Sequence, residues 1–155
     1  MNDLVSAIAR NDSNEAARLL KAGFDPDIKD ADGRTALMHT VIDGKDQLLD
    51  LLIDNGSDVN LQDKQGLSPL HFAAQNYNVK AAKTLLQAGA KVDARDKYGN
   101  AALWTAVFNS RGRGDIIMLL LEHGADRSAK NRSGKSPLEL ADMIGNYDVK
   151  QFFGG

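Results

Sequence analysis

The stretch DKQGLSPLHFA, residues 63–73, decides the fold because three other stretches of the chain repeat its plan. They are DADGRTALMHT at 30–40, DKYGNAALWTA at 96–106 and NRSGKSPLELA at 131–141. The glycines that they share stand 33, 33 and 35 residues apart: Gly33, Gly66, Gly99 and Gly134. A second set of glycines, at the ends of the runs LLKAG, LLIDNG, LLQAG and LLEHG, keeps the same intervals. Two independent sets of landmarks with one period indicate a repeat protein.

Each repeat is predicted to hold two helices. A turn with Asp and Gly leads into Ser68-Pro69, a cap and first-turn signal for a short helix. A second helix carries paired apolar residues and ends at a glycine suited to a left-handed C-cap. Such a pair leaves apolar faces open, so the repeats must stack on one another. We therefore predict a single domain of five units, the first and last being terminal caps, at about 1–29, 30–62, 63–95, 96–130 and 131–155.

Composition limits the classes of function. The 155 residues are 43 % hydrophobic and 26 % charged, as is usual for one globular domain. The net charge of −2 gives no general attraction for nucleic acid or an anionic membrane, and the absence of cysteine excludes disulfides and thiol catalysis. Since the start lacks the features of a signal peptide and no run of about 18 apolar residues occurs, we expect a soluble, cytoplasmic protein.

We find no catalytic or metal-binding pattern in the sequence. The spacing of His39, His71 and His123 does not suggest zinc, and no cysteine completes a site. The stretch at 30–33, DADG, opens like a calcium loop, but Val41 stands where a bidentate carboxylate should close it. Neither a phosphate-binding loop nor a nucleophile elbow occurs. We expect no metal, no cofactor and no enzyme activity.

The period, the run SPLHFAA at 68–74 and the run LLQAGA at 85–90 resemble the ankyrin repeat, and the resemblance covers essentially the whole chain. It implies an all-α solenoid of stacked helix-turn-helix units with β-turn tips, in which His71 occupies a structural position. Met38, Trp104 and Glu139 stand at that position in other units, and the fourth unit is two residues longer. Because of these departures, the sequence does not determine the hydrogen bonds around Met38 and Trp104.

The resemblance also implies a function, which is recognition of a protein partner through the concave face. Because repeats use the whole chain, covering the partner's active surface is the simplest mechanism. Small ankyrin proteins include kinase inhibitors and suspected bacterial immunity proteins, and we favour an immunity-type inhibitor. A scaffold or kinase-inhibitor-like adaptor is the alternative, and an unrecognised enzyme or nucleic-acid binder is disfavoured. We expect a protein partner, no nucleic acid, no membrane, and a monomer when free.

Positions beside the turn glycine and at the end of the short helix differ between units, and in ankyrin proteins such positions contact the partner. Ser133, Lys135 and Met143 occupy them in the last unit. Tyr98 is expected to be exposed, whereas Trp104 is either a contact or part of the core. The predicted partner-binding residues are Asp32, Arg34, Ile42, Gln65, Leu67, Gln75, Tyr98, Asn100, Trp104, Phe108, Arg111 and Arg113.

The two extra residues of the fourth unit fall in NSRGRGD, residues 109–115. Lengthening a connection between helices costs little closure entropy, so the loop is either a tolerated insertion or a contact. In the second case Arg111 and Arg113 reach an acidic group of the partner, and the glycines allow an anion-binding nest. In both cases we expect these side chains to contribute little to folding.

Charge is uneven along the chain. Unit two carries seven aspartates against two basic residues, whereas unit three carries five basic residues against two acidic ones and unit four five against four. We therefore predict a two-ended charge distribution that would orient a complementary partner. Asp46, Asp50 and Asp54 form an acidic row on one helix, which is more often a solvated face than a site.

Overall fold

The computed structural model describes residues 3–145 and 147–154, and within these ranges the chain is helical and contains no strand. A 3₁₀ helix at Val149–Phe153 follows the last α-helix. The prediction of an all-α repeat solenoid is confirmed. The α-helices are α1 (Asp3–Ala9), α2 (Ser13–Lys21), α3 (Ala36–Ile42), α4 (Asp46–Asp54), α5 (Pro69–Gln75), α6 (Val79–Gln87), α7 (Ala102–Phe108), α8 (Asp115–Glu122) and α9 (Pro137–Met143).

Local sequence fixes where the helices begin and end. Thr35 Oγ1 accepts a hydrogen bond from the Met38 amide at 3.4 Å at the start of α3, and Pro69 opens α5. The second helices end before glycines in the left-handed region, for example Gly56 at φ 86° and Gly89 at φ 90°. A side chain at such a φ is strained, so these glycines set the helix length.

Neighbouring units stack through equivalent helices. The first helices (α1, α3, α5, α7 and α9) contact one another in order, and they do so more extensively than the second helices (α2, α4, α6 and α8). Fully buried small residues, such as Ala73 and Ala106, allow the first helices to approach closely. Because that side is the more tightly packed, the first helices lie on the inner, concave side.

The core consists of rows of apolar side chains that recur with the repeat. One row on the first helices is at most 1 % exposed, and a row on the second helices is at most 2 % exposed. Burying one leucine contributes about 1.5–3 kcal/mol, which makes these rows the main stabilising contact between units. The rows are Leu4, Leu37, Leu70 and Leu103, and Leu19, Leu52, Leu85 and Leu120.

The turn tips form a regular row of their own. In each, a side-chain oxygen accepts two backbone amides, as Asp63 Oδ1 does from Gln65 at 2.8 Å and Leu67 at 2.9 Å. Backbone hydrogen bonds of 2.9–3.0 Å then join each tip to the next, and they keep successive tips in a fixed order. These bonds run from Lys64 to Asp32, from Lys97 to Gln65 and from Arg132 to Tyr98.

Candidate functional site

The turn tips and the first helices enclose one groove. At its N-terminal end a cleft of about 590 Å³ is lined by Val5 of α1, His39 of α3, and Asp30 and Asp32 of the first tip. His39 Nε2 lies 2.8 Å from Asp30 Oδ2 in this cleft. Burial opposes ionisation of Asp30, but hydrogen bonds from the Arg34 amide and His39 hold the pKa of Asp30 below its usual range. The cleft is therefore acidic at its mouth.

Most of the predicted contact residues have exposed or half-buried side chains. Tyr98 is 59 % exposed and Phe108 is 64 % exposed, which places two of the three predicted aromatic contacts in solvent. The remaining exposed members are Asp32, Gln65, Gln75, Arg111 and Arg113, and the half-buried members are Arg34, Ile42, Leu67 and Trp104.

An aromatic pair lies on α7. The rings of Trp104 and Phe108, one helical turn apart, stack with centroids 5.4 Å apart and an angle of 13°. Trp104 lies half-buried beside the exposed Phe108 ring, and its indole N–H is buried without an acceptor among the described residues. Leaving a buried donor unpaired costs about 1–3 kcal/mol, so Trp104 is not explained by stability alone.

Trp104 replaces a residue that caps the helix in the preceding unit. There, the Ser68 amide donates to His71 Nδ1 at 3.1 Å, and His71 Nε2 donates to the Asn100 carbonyl at 3.0 Å. A carbonyl only accepts, so His71 is neutral with its proton on Nε2, and burial lowers its pKa. Within the part of the chain that the structure describes, no side chain caps α7, since Ala101 stands where the capping serine would be.

The other departures from His71 keep a capping contact. Glu139 Oε2 accepts from the Ser136 amide at 2.8 Å, and Ser136 Oγ accepts from the Glu139 amide at 3.2 Å. At Met38, the capping bond is made by Thr35. Of the helices α3, α5, α7 and α9, α7 is therefore the one whose first turn has no side-chain cap.

Two predicted contact residues belong largely to the framework. Asn100 is only 9 % exposed, because its carbonyl accepts from His71 and its Oδ1 accepts from Asn131 Nδ2 at 2.8 Å. We therefore withdraw Asn100 from the predicted contacts. The Arg34 guanidinium lies 5.2 Å from the Phe72 ring centroid, and its Nε is 3.5 Å from Asp63 Oδ2. Arg34 thus joins units two and three while keeping an exposed edge.

The loop at 109–115 is packed rather than slack. The Arg113 guanidinium lies 3.9 Å from the ring centroid of Tyr77, and the Tyr77 hydroxyl donates to the Arg113 carbonyl. A Cβ on Gly114 would overlap the Phe152 ring. The loop side chains were expected to contribute little to folding, and the contact of Arg113 with Tyr77 indicates a larger contribution from Arg113. Arg111 is exposed, at a φ of 49°, and remains available for contact.

Two further structural tests bear on the site. No helix within residues 3–145 and 147–154 is long and apolar enough to span a bilayer. Within the same ranges, no group of three or more His, Asp or Glu side chains is placed to hold a metal ion. The first tip aspartate instead binds its own turn, since Asp30 Oδ1 accepts the amides of Asp32 and Arg34 at 2.9 Å.

Comparison with known proteins identifies relatives in several organisms. The family described as "Ankyrin repeats (3 copies)" matches residues 4–96 and 43–131. A putative ankyrin repeat-containing protein of Treponema pallidum (strain Nichols) is 39 % identical over 128 residues, which are 81 % of this chain and 42 % of that protein. A putative ankyrin repeat protein of Rickettsia bellii (strain RML369-C) is 33 % identical over 124 residues, 79 % of this chain and 67 % of that protein.

A more distant match is the putative ankyrin repeat protein FPV222 of Fowlpox virus (strain NVSL), 25 % identical over 149 residues, 96 % of this chain and 20 % of that protein. The chain thus spans less than half the length of the fowlpox and Treponema relatives. The family match nevertheless extends over more than half of the chain, in the same stretches that form the stacked helix pairs. The chain belongs to the ankyrin repeat family.

Proposed function

We propose that this chain is a recognition module that binds one partner protein in its concave groove and inhibits that partner by covering its active surface. Ankyrin repeats are generally protein–protein interaction modules and generally not enzymes. The observation that supports a site in this groove is the aromatic group of unit four, in which Tyr98 and Phe108 are exposed and Trp104 is half-buried.

The repeat supplies an internal comparison for this aromatic group. Equivalent positions in unit three hold Gln65, His71 and Gln75, which are polar or serve the framework. Unit four instead exposes a tyrosine and a phenylalanine and gives up the cap of α7. Exposed aromatic residues that do not help the fold are typical of interface anchors, where Trp and Tyr contribute most to binding. Unit four is therefore the proposed centre of the contact.

Residues of units two and three form the proposed periphery of this contact. Asp32 and Gln65 extend the row of tips, while Ile42, Leu67 and Gln75 extend the floor of the groove. Peripheral contacts exclude water from the anchors and contribute little themselves. Covering a partner in this way would serve an inhibitor of the toxin-immunity type and one of the kinase-inhibitor type equally well. We place the protein in the cytoplasm, as a monomer when free.

A capture experiment with matched variants tests the proposal. The full chain is immobilised and exposed to an extract of the cells that express it, and bound proteins are identified and their stoichiometry measured. We expect one partner in equal amount with the wild type, and its loss with Tyr98→Ala/Phe108→Ala. The control, Val79→Ala/Met118→Ala, removes exposed apolar side chains on second helices and should retain the partner.

The activity of the recovered partner, measured with and without the chain, then separates inhibition from scaffolding. Inhibition should saturate at one chain per partner. A partner that stays active while a second protein is held in the same complex would support the adaptor alternative. Equal recovery by both variant pairs would show that binding does not use the groove.

A further inference from the structure

We propose that the partner presents an extended acidic segment with an apolar anchor to the C-terminal half of the groove, an inference that rests on the proposed function. The surface concerned is called the basic aromatic patch. It combines basic residues at the tips of units three, four and five with exposed apolar side chains of units four and five, which lie at a tip and at the ends of first helices. Its members are Lys64, Lys97, Arg132, Lys135, Tyr98, Phe108 and Met143.

The tip cations recur at one position of the repeat. Lys64, Lys97 and Arg132 each follow the first residue of the turn, and all three are exposed. Their backbone amides donate to carbonyls of the preceding tip at 2.9–3.0 Å. These bonds hold the backbone of the three basic residues in one row along the tips. A row of charges held by main-chain bonds offers a preorganised site for an opposite charge.

These cations are not neutralised by their neighbours. Over the described ranges the side chains of Lys64 and Arg132 have no hydrogen-bond or ion-pair partner. Lys97 bonds to the Gln65 amide oxygen and lies 4.9 Å from the Tyr98 ring centroid, and it forms no ion pair with a carboxylate of the described residues. Nearby Asp63 is 7 % exposed, and its Oδ1 already accepts two amides. The patch therefore carries excess positive charge beside exposed aromatic rings.

The other end of the same groove has the opposite charge. The first tip has Ala31 where the later tips have cations, and exposed Asp32 follows it. Asp30 lines the cleft there with its pKa below the usual range. A long polyanion such as nucleic acid would meet this acidic end if it followed the groove, whereas a short acidic protein segment would not. The net charge of −2 likewise gives no general attraction for a long polyanion.

The repeat spacing sets the geometry of the segment. Adjacent packed helices lie about 8–10 Å apart, and the tips advance with them. An extended chain in the polyproline II conformation advances about 3.1 Å per residue with three residues per turn. Carboxylates three residues apart would therefore share one face of the segment and meet successive tips. An apolar side chain between two such carboxylates would reach Phe108 or Met143, which are each 64 % exposed. The favoured segment thus alternates carboxylates with at least one large apolar residue.

Selection of peptides on the folded full chain tests this inference. A displayed library of random 12-residue peptides is panned against the wild type, and selected peptides are synthesised and measured by fluorescence anisotropy. We expect net negative sequences with an aromatic or large aliphatic residue. Lys64→Glu/Arg132→Glu should weaken their binding about tenfold or more, and raised salt should weaken wild-type binding. The matched control, Lys83→Glu/Lys91→Glu, changes net charge equally on exposed residues outside the patch and should stay within about twofold.

The alternative outcomes are distinguishable. Selected peptides that are neutral or basic, and that depend on Tyr98 and Phe108 but not on the tip cations, would overturn the acidic segment and leave the proposed function standing. Peptides that depend on neither set, or a failure to select any, would count against both. A 20-nucleotide oligothymidylate that binds more tightly than every selected peptide, and loses binding on the same charge reversal, would assign the patch to nucleic acid and overturn the inference.

Discussion

Tyr77 offers a sharp test of how units three and four are joined. It is 8 % exposed and adopts a φ of 53°, in the left-handed region that disfavours side chains. The equivalent residues of the first two units, Asn11 and Gly44, adopt φ values of 57° and 67° and are types that tolerate this region. The contact of the Tyr77 ring and hydroxyl with Arg113 must therefore offset the strain of its backbone.

The comparison of Tyr77→Ala with Tyr77→Gly separates these two contributions. Either variant loses the buried ring, which costs about 3 kcal/mol of the free energy of unfolding. Glycine in addition relieves about 1–2 kcal/mol of strain from the left-handed backbone. Its more flexible unfolded state lowers the free energy of unfolding by about 0.5–1 kcal/mol. We therefore expect the glycine variant to be more stable than the alanine variant by about 0.5–1 kcal/mol.

Urea unfolding followed by far-UV circular dichroism measures the difference, and equal m-values would show that the variants unfold the same structure. Ala17→Gly on α2 is the control, because glycine inside a helix should lose about 0.5–1 kcal/mol, the opposite sign. If Tyr77→Ala were as stable as Tyr77→Gly, the inference that the backbone at residue 77 is strained would be refuted. Wild-type stability in both would refute the packing of the loop.

Three further outcomes follow from the contacts. The free energy of unfolding should fall as pH drops from about 7.5 to 5.5, because burial lowers the pKa of His71 in the folded chain and the unfolded chain therefore binds more protons below about pH 6.5. His71→Gln should lessen this pH dependence in urea titrations, and an identical dependence in the variant would contradict the prediction. Gly114→Ala should lower the free energy of unfolding by about 1–3 kcal/mol, because the φ of −110° suits alanine but the added Cβ overlaps Phe152. An unchanged melting temperature in thermal unfolding would contradict this contact. Ala101→Ser/Trp104→His should stabilise the chain by about 1 kcal/mol and weaken partner capture, and stronger capture would exclude Trp104 as an anchor.

The period, the helix pairs and the capping turns could be predicted from the sequence because each depends on contacts within about one unit. The leucine rows follow from the same period, as in Leu37, Leu70 and Leu103. The exposure predicted for Tyr98 is confirmed. That exposure follows from the turn alone, since a residue at a turn tip has few neighbours to cover it.

Contacts between units were harder to predict. Asn100 is a residue type usually found at the surface, but His71, 29 residues earlier, reaches its carbonyl and covers it. Arg113 packs on Tyr77, which is 36 residues away and differs from the glycine of the preceding unit. Each of these pairs is formed by residues that do not recur in the other units, so the period carries no signal for them. An aromatic residue in a left-handed turn was the one local sign of the second contact.

Trp104 is the single tryptophan of the chain, and its position beside Phe108 gives the protein a built-in optical reporter. Emission from the indole will respond to the polarity around unit four and hardly at all to events in unit one. Occupation of the groove can therefore be followed without a label attached to either molecule. The same property means that a fluorescence melting curve will register the loosening of one layer of the stack, whereas circular dichroism registers the helices of all layers together.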